Sequence, residues 1–176
     1  IYALLNVSVI ELGQFSVTST PIQVTDIAKA QAKKFEPIIL KKNITLTQKY
    51  DDNIPIMKLD SNLIGIIFKK LLENSVEYTS DGGKIGIFIN KQKDGILITV
   101  QDTGIGISEK DQDKIFNKMF RTENVKVIDN DGMGLSLYIV KSIVEYARGK
   151  IWFESKENQG TTFYVTLPQE GMLNKK

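Results

Sequence analysis

Four stretches of the chain are predicted as helices from their apolar spacing and their capping residues. They are residues 22–42, about 61–78, 108–119 and 134–146. Pro37 predicts a break in the first helix, because proline lacks a backbone donor and clashes with the preceding turn. Asp60 or Ser61 can cap the second helix, and Ser108 the third. The second helix has the clearest apolar stripe, made of Leu63, Ile66, Ile67, Leu71 and Val76.

Apolar and polar residues alternate in most of the remaining stretches, which is typical of strands with one buried face. These stretches are residues 44–49, 54–59, 84–90, 96–101, 150–155 and 161–167. Turn residues at 91–95 and 158–160 join neighbouring strands into hairpins. Helices interspersed with hairpin-linked strands predict an α+β fold, a two-layer α/β sandwich with a mixed, largely antiparallel sheet and helices on one face.

The two ends and one internal stretch have weaker patterns. Residues 1–15 form a rough helical stripe that is too short to bury itself, either a helix capping the core or, as we favour, the end of a bundle helix. Residues 16–21 are predicted as a linker to the main domain at 22–168, and the polar tail at 169–176 is expected to fray. Residues 120–131 are polar and are predicted to form a mobile loop.

Composition excludes several kinds of chemistry. The 176 residues are 41% hydrophobic and 25% charged, which indicates a globular domain. The net charge of +2 implies no strong attraction to nucleic acid. Cysteine and histidine are both absent, so disulfides, serine–histidine triads and histidine-ligated zinc are excluded. Five lysines in residues 22–42 are interpreted as a solvated face: Lys29, Lys33, Lys34, Lys41 and Lys42.

Signals for targeting are missing from the sequence. It contains no apolar run of membrane-spanning length and no signal peptide. The first residue is Ile1 rather than methionine, so we expect the sequence to be part of a longer protein.

Asp102 ends one alternating run and is followed by Thr103-Gly104-Ile105-Gly106. A carboxylate there can accept a hydrogen bond from the exocyclic amine of adenine, whereas guanine presents a carbonyl oxygen that it would repel. Gly104 and Gly106 would let the backbone approach the base without an intervening Cβ. The alternative is a solvated aspartate in an ordinary strand-ending turn, which this motif alone would usually be.

Gly132-Met133-Gly134 leads into the helix predicted at 134–146. Backbone amides at such a start, together with the helix dipole, favour an anion such as a phosphate group. The dinucleotide pattern fails because Leu137 stands where a third glycine is required, and no P-loop motif is present. The alternative is a plain helix-entry turn.

Asn74 lies on the strongly patterned helix at about 61–78. Its amide oxygen could complete the octahedral oxygen shell of Mg²⁺ if this helix faces the phosphates. The alternatives are a solvated polar residue and a hydrogen-bonded core asparagine. Glu73 is interpreted as solvent-exposed.

Further candidate contacts stand near these motifs. Arg121 could reach a phosphate from the predicted loop, or could be a surface charge. Phe120 is interpreted as an anchor of the core or of a lid. Thr161 and Thr162 open the last strand, where their hydroxyls could support Asp102 directly or through water.

Taken in order, these segments resemble the N, G1, F, G2 and G3 boxes of the catalytic ATP-binding domain of bacterial sensor histidine kinases. The matching segments are the surroundings of Asn74, then residues 102–106, 115–121, 132–137 and 160–162. The resemblance spans about residues 21–168 and implies the GHKL ATPase sandwich, of the Bergerat type, as the fold. It also implies ATP and Mg²⁺ as ligands, and transfer of the γ-phosphoryl group to a histidine outside this sequence.

The resemblance implies roles at matching positions. Asn74 would bind Mg²⁺, Asp102 the adenine amine, and Gly104 and Gly106 the base. The other implied nucleotide contacts are Glu77, Tyr78, Ile105, Phe120, Arg121, Gly132, Met133, Gly134, Leu135, Thr161 and Thr162. Lys70 stands where the family commonly has asparagine, and Glu77 where it commonly has lysine. No catalytic residue is assigned, because the acceptor histidine is absent from the chain.

The resemblance also implies partners and setting. Residues 1–15 would be the end of the second helix of a dimerisation and phosphotransfer domain, which would be one partner. A response regulator would be the other, within a homodimeric protein whose cytoplasmic domain is joined to a membrane anchor. A nucleotide-binding regulatory module with little turnover is the alternative function, and a topoisomerase-type ATPase clamp is disfavoured because Lys70 stands where that group usually has glutamate.

Overall fold

A computed structural model describes residues 17–120 and 134–172. The helices are α1 (Val24–Lys41), α2 (Ser61–Tyr78), α3 (Glu109–Gln112) and α4 (Ser136–Tyr146). The strands are β1 (Thr20–Ile22), β2 (Thr45–Tyr50), β3 (Met57–Leu59), β4 (Lys84–Gln92), β5 (Gly95–Asp102), β6 (Lys150–Lys156) and β7 (Gly160–Pro168).

The main sheet has five strands in the order β2-β4-β5-β7-β6. Only the β2–β4 pair is parallel, and the other three pairs are antiparallel. Strands β1 and β3 form a separate antiparallel pair. The mixed, largely antiparallel sheet predicted from the hairpin pattern is therefore confirmed.

The helices cover one face of this sheet, and the hydrophobic core lies between the two layers. Along β4, for example, Ile85, Ile87 and Ile89 are buried while Asn90 is exposed, because successive side chains of a strand point to opposite faces. Helix α2 is central: it packs against α1, α4 and β5. Asp60 is its N-cap, and the Asp60 carboxylate accepts hydrogen bonds from the Asn62 and Leu63 amides as predicted.

Three local predictions were wrong. Helix α1 continues through Pro37 without a break, and both Pro37 and Lys33, one turn earlier, are exposed. Water can therefore hydrogen-bond the carbonyl that proline leaves without a donor. The helix predicted at 108–119 is only the short α3, and Ser108 bonds Asp111 rather than a backbone amide. The strand predicted at 54–59 is confined to β3.

At both ends of the main domain, residues predicted as linker or tail pack against the fold. Within the predicted linker, Val17 is buried and residues 20–22 form β1. Within the predicted tail, Met172 is buried and its amide bonds the Lys58 carbonyl. The predicted helix at 1–15 and the loop after Phe120 lie outside the described residues, as do residues 173–176.

Candidate nucleotide-binding site

Asp102 lies at the end of β5, between Ile85 of β4 and Thr161 of β7. Only 7% of the residue is exposed. One carboxylate oxygen, Oδ1, accepts hydrogen bonds from the Gly104 amide at 2.9 Å and the Thr161 amide at 3.2 Å. The other, Oδ2, accepts one long bond of 3.3 Å from the hydroxyl of Ser75. Oδ2 therefore keeps the capacity to accept a second hydrogen bond from a ligand.

Burial raises the pKa of Asp102, because removing a carboxylate from water disfavours its charged form. The hydrogen bonds from Gly104, Thr161 and Ser75 act in the opposite direction, but burial has the larger effect. Burying a carboxylate costs free energy, and an apolar residue would suit a packed core better. Carboxylates with a pKa perturbed in this way are common in binding sites. Its chemistry suits an amine donor such as the one on adenine.

The glycine loop after Asp102 is held by neighbouring backbone. The Ile105 amide donates to the Tyr78 carbonyl at 3.1 Å, and the Ile105 carbonyl accepts from Asn158 at 2.7 Å. A Cβ on Gly104 would come within 2.5 Å of the Tyr78 carbonyl oxygen. Gly106 has a φ of +67°, and a Cβ there would lie 2.0 Å from the Lys156 carbonyl oxygen. These glycines are thus required by contacts within the protein, and their contact with a base stays a prediction.

Two strand residues differ from their predicted roles. Thr161 does support Asp102, but through its backbone amide, while its hydroxyl lies 2.9 Å from that of Ser155. Thr162 pairs with Gln101 and Glu154 and lies on the opposite face of the sheet, because strand side chains alternate. The prediction that Thr162 supports Asp102 is therefore wrong.

Helix α2 forms the wall of the site beside Asp102. Ser75 is fully buried and its hydroxyl donates to Asp102. Asn74 and Tyr78 are half-buried, and Glu77 is exposed. Sequence reasoning missed Ser75, although a signal was present: a polar residue one helical turn after Leu71 falls on the buried stripe.

The charged residues of α2 pair with one another. The Lys70 ammonium lies 2.8 Å from a Glu73 carboxylate oxygen, and Lys69 lies 3.6 Å from the other oxygen. Glu73 is half-buried in these pairs, so the interpretation of Glu73 as simply solvent-exposed is wrong. Because Glu73 already balances the charge of Lys70, Lys70 is a weaker candidate for attracting phosphate than its position alone indicates.

The oxygen atoms that the protein offers near Asn74 are too few to coordinate Mg²⁺ unless phosphate oxygens join them. Among residues 17–120 and 134–172, no cluster of three or more carboxylate side chains could hold a metal ion alone. Magnesium in nucleotide sites is commonly held by few protein oxygens, with phosphate and water oxygens supplying the rest. The half-buried amide of Asn74 fits that arrangement.

The start of α4 is the other predicted part of the site. Gly134 has a φ of +64° and Leu135 is buried at the start of this helix. Leu135 makes no side-chain cap. Backbone amides in the first turn of a helix, together with the helix dipole, favour an anion. Phe120 is half-buried against the core, as predicted for an anchor. Arg121, Gly132 and Met133 lie outside the described residues.

Comparison with known proteins identifies the family to which this fold belongs. Residues 59–171 match the family described as histidine kinase-, DNA gyrase B-, and HSP90-like ATPase. The chain belongs to this family. The match contains α2, the glycine loop and the last two strands, the elements that surround Asp102. The resemblance to the catalytic ATP-binding domain of sensor histidine kinases is confirmed.

A curated relative is the adaptive-response sensory kinase SasA of Crocosphaera subtropica, which is 30% identical over 157 residues. That alignment covers 89% of this chain but 41% of the relative, so the chain spans less than half the relative's length. No helix within residues 17–120 or 134–172 is long and apolar enough to span a membrane.

Two solved structures of histidine kinase ThkA are also similar. Its nucleotide-free catalytic domain superposes with a TM-score of 0.76 at 28% identity, covering 86% of this chain and 96% of that domain. ThkA in complex with the response regulator TrrA gives a TM-score of 0.72 at 27% identity, covering 94% of this chain and 48% of that one.

Proposed function

We propose that this chain is the ATP-binding kinase domain of a sensor histidine kinase and that it transfers the γ-phosphoryl group of ATP to a histidine outside residues 1–176. In this reaction the bond from the γ-phosphorus to the bridging oxygen breaks, a bond to a histidine nitrogen forms, and ADP leaves. The observation that carries the proposal is the buried Asp102 carboxylate, which keeps an acceptor site open beside α2.

Base recognition is assigned to Asp102. Its Oδ2 would accept a hydrogen bond from the adenine amine, while Ser75, Gly104 and Thr161 hold the carboxylate in place. Guanine would direct a carbonyl oxygen at the same atom and leave a buried carboxylate facing an acceptor, which costs about 3 kcal/mol or more because the carboxylate is charged. The base itself would lie against the Gly104–Gly106 loop, with Ile105 and Tyr78 beside it.

The phosphate side is assigned to both helices. Asn74 would hold Mg²⁺, which supplies positive charge to the phosphate oxygens. The amides around Gly134 and Leu135, together with Gly132, Met133, Arg121 and Phe120 from the adjoining segment, would enclose the phosphates. With no histidine in the chain, this domain contributes positioning and electrostatic stabilisation, which are the main components of phosphoryl-transfer catalysis.

The rest of the protein is proposed by analogy with the relatives. Residues 1–15 would end the second helix of a dimerisation and phosphotransfer domain, 16–21 would link it to the catalytic domain at 22–168, and 169–176 would be a tail. A response regulator would receive the phosphoryl group, as the ThkA–TrrA complex suggests. The whole protein would be a homodimer with this domain in the cytoplasm and a membrane anchor elsewhere.

Calorimetric titration with ATP and GTP, each with Mg²⁺, tests the base assignment. We expect ATP to bind and GTP to bind at least about a hundredfold more weakly, as a mismatched buried polar group predicts. Comparable binding of both nucleotides would overturn the role of Asp102.

Incubation with labelled ATP tests the transfer. The domain alone should gain no phosphohistidine, because it contains no histidine. Mixed with the phosphotransfer domain of its own protein, it should label that domain in trans, slowly because the two are not tethered. Nucleotide binding without any labelling at high concentrations of both would instead favour the regulatory module.

A further inference from the structure

The C-terminal end of α2 has an unusual way of satisfying its last carbonyl groups. The final carbonyls of a helix have no partner inside the helix, and many helices satisfy them by turning the chain into the left-handed region. Here the residue after the helix, Thr79, is extended, with φ −86° and ψ +129°. The chain therefore does not fold back on α2, and the donors must come from elsewhere.

Two parts of the protein supply these donors. The carbonyl of Tyr78 accepts from the Ile105 amide of the glycine loop. The side-chain ammonium of Lys42 donates to two other carbonyl oxygens, that of Val76 at 2.7 Å and that of Thr79 at 2.5 Å. The same ammonium lies 3.5 Å from the carbonyl of Glu77.

Lys42 is itself fixed at both of its backbone groups. Its amide donates to the Ile38 carbonyl at the end of α1, and its carbonyl accepts from Gly82 in the turn after α2. Lys42 is half-buried, and its ammonium donates hydrogen bonds to protein carbonyls. The positive charge of Lys42 also interacts favourably with the negative, C-terminal end of the α2 dipole. The prediction that Lys42 belongs to a solvated lysine face is therefore wrong.

We propose that Lys42 is a positioning residue for nucleotide binding; this inference rests on the proposed function. By holding the carbonyls of Val76 and Thr79, Lys42 fixes the last turn of α2, which carries Tyr78 and follows directly on Asn74 and Ser75. The Tyr78 carbonyl then sets the distance to the glycine loop through Ile105. Lys42 thus acts on the spacing between the two walls of the site without being one of its contacts.

The test uses Lys42→Met, which keeps the length of the side chain and removes its donors. We expect this variant to bind ATP with Mg²⁺ about tenfold more weakly, the effect of losing hydrogen bonds from a charged donor. Lys41→Met is the matched control, since Lys41 is the exposed last residue of α1 and directly precedes Lys42. Lys42→Arg keeps the charge and donors and should restore most of the affinity.

Affinity is measured by calorimetry well below each variant's unfolding temperature, so that a lower stability alone does not change it. Hydrogen exchange of the Ile105 amide in the nucleotide-free domain is the second readout. It should be faster in Lys42→Met than in the wild type and in Lys41→Met. If Lys42→Met does not fold, Lys42→Gln, which retains one neutral donor, should show both effects at smaller size.

Each outcome decides between the possible roles. A lower unfolding temperature with unchanged ATP affinity and unchanged Ile105 exchange would make Lys42 a helix cap only and would overturn the proposal. A wild-type domain that binds no ATP would overturn the proposed function and, with it, the link to binding. Faster Ile105 exchange in the variant would still show in that case that Lys42 positions the turn.

Discussion

The two sides of the α2 helix near Asn74 are held in different ways. On the side proposed for the base, the fully buried Ser75 donates to Asp102, a residue that is only 7% exposed and accepts from two backbone amides. On the side proposed for the phosphates, Asn74 is half-buried, Glu77 is exposed and Lys70 pairs with Glu73. Packing and buried hydrogen bonds therefore organise the proposed base side without a ligand, whereas the proposed phosphate side consists of polar and charged side chains that water can reach.

This difference explains which positions can vary. Glu77 is exposed and Lys70 pairs with Glu73 at the surface, and such charges contribute little to folding. The lysine at position 70 and the glutamate at position 77 are therefore compatible with the fold. A change at Asp102 or Gly106 would alter buried groups with several fixed partners. Variants of the base side should thus have large effects, and variants of the phosphate side small ones.

The largest effect is expected for Asp102→Asn. The substitution retains an acceptor for the Gly104 and Thr161 amides but directs an amide group at the adenine amine, so ATP affinity should fall at least about a hundredfold. The protein should nevertheless stay folded. Calorimetry measures the affinity, and circular dichroism checks the fold.

The same variant has a pH-dependent effect on stability. Because burial raises the pKa of Asp102, the contribution of this group to stability is complete below the ordinary aspartate range and is lost as pH rises through the raised pKa. Asp102→Asn should therefore raise the melting temperature of the nucleotide-free domain at pH 7, and the gain should shrink in acid. A lower melting temperature at pH 7 would show that the ionised carboxylate stabilises the fold.

Gly106→Ala should have the next largest effect, here on stability first. Its Cβ would lie 2.0 Å from the Lys156 carbonyl oxygen, and the backbone has a φ of +67°. We expect a loss of about 2–4 kcal/mol in unfolding free energy, measured by urea titration. Gly82→Ala is a useful control, because its φ is also positive but nothing lies within 4 Å of the added atom. Equal losses in both variants would assign the effect to backbone conformation alone.

Ser75→Ala should have a moderate effect. Its hydroxyl helps to hold the ionised form of Asp102, so its removal should raise the pKa of Asp102 further. ATP affinity at pH 7 should fall by about threefold to tenfold, the effect of one hydrogen bond to a charged group. Titrations at lower pH should show the loss becoming larger. Parallel pH profiles for variant and wild type would mean that Ser75 does not act through the carboxylate.

The smallest effect is expected on the phosphate side. Glu77→Lys should tighten ATP binding by about 1 kcal/mol, since it replaces an exposed negative charge near the triphosphate with a positive one. Lys70→Ala should weaken binding by less, because Glu73 already balances that lysine. Both affinities are measured with and without Mg²⁺. Unchanged or weaker binding in Glu77→Lys would place residue 77 away from the phosphates.

The sequence by itself determined the elements whose signals are local. The apolar stripe of α2 with its Asp60 cap, the β4–β5 and β6–β7 hairpins, and the placement of Asp102 at a strand end all follow from residue spacing and turn residues. Periodicity reports which face of an element is buried, so these features could be predicted without knowing the neighbours.

Only the tertiary structure decided which groups meet across the chain. It brought the Lys42 ammonium to the end of α2, the Ser75 hydroxyl and the Thr161 amide to Asp102, and Thr162 to the far face of the sheet. It also let α1 continue through Pro37, where both Pro37 and Lys33, one turn earlier, are exposed. Such contacts join residues tens of positions apart, and no local pattern specifies which donor will reach a given acceptor once the layers pack.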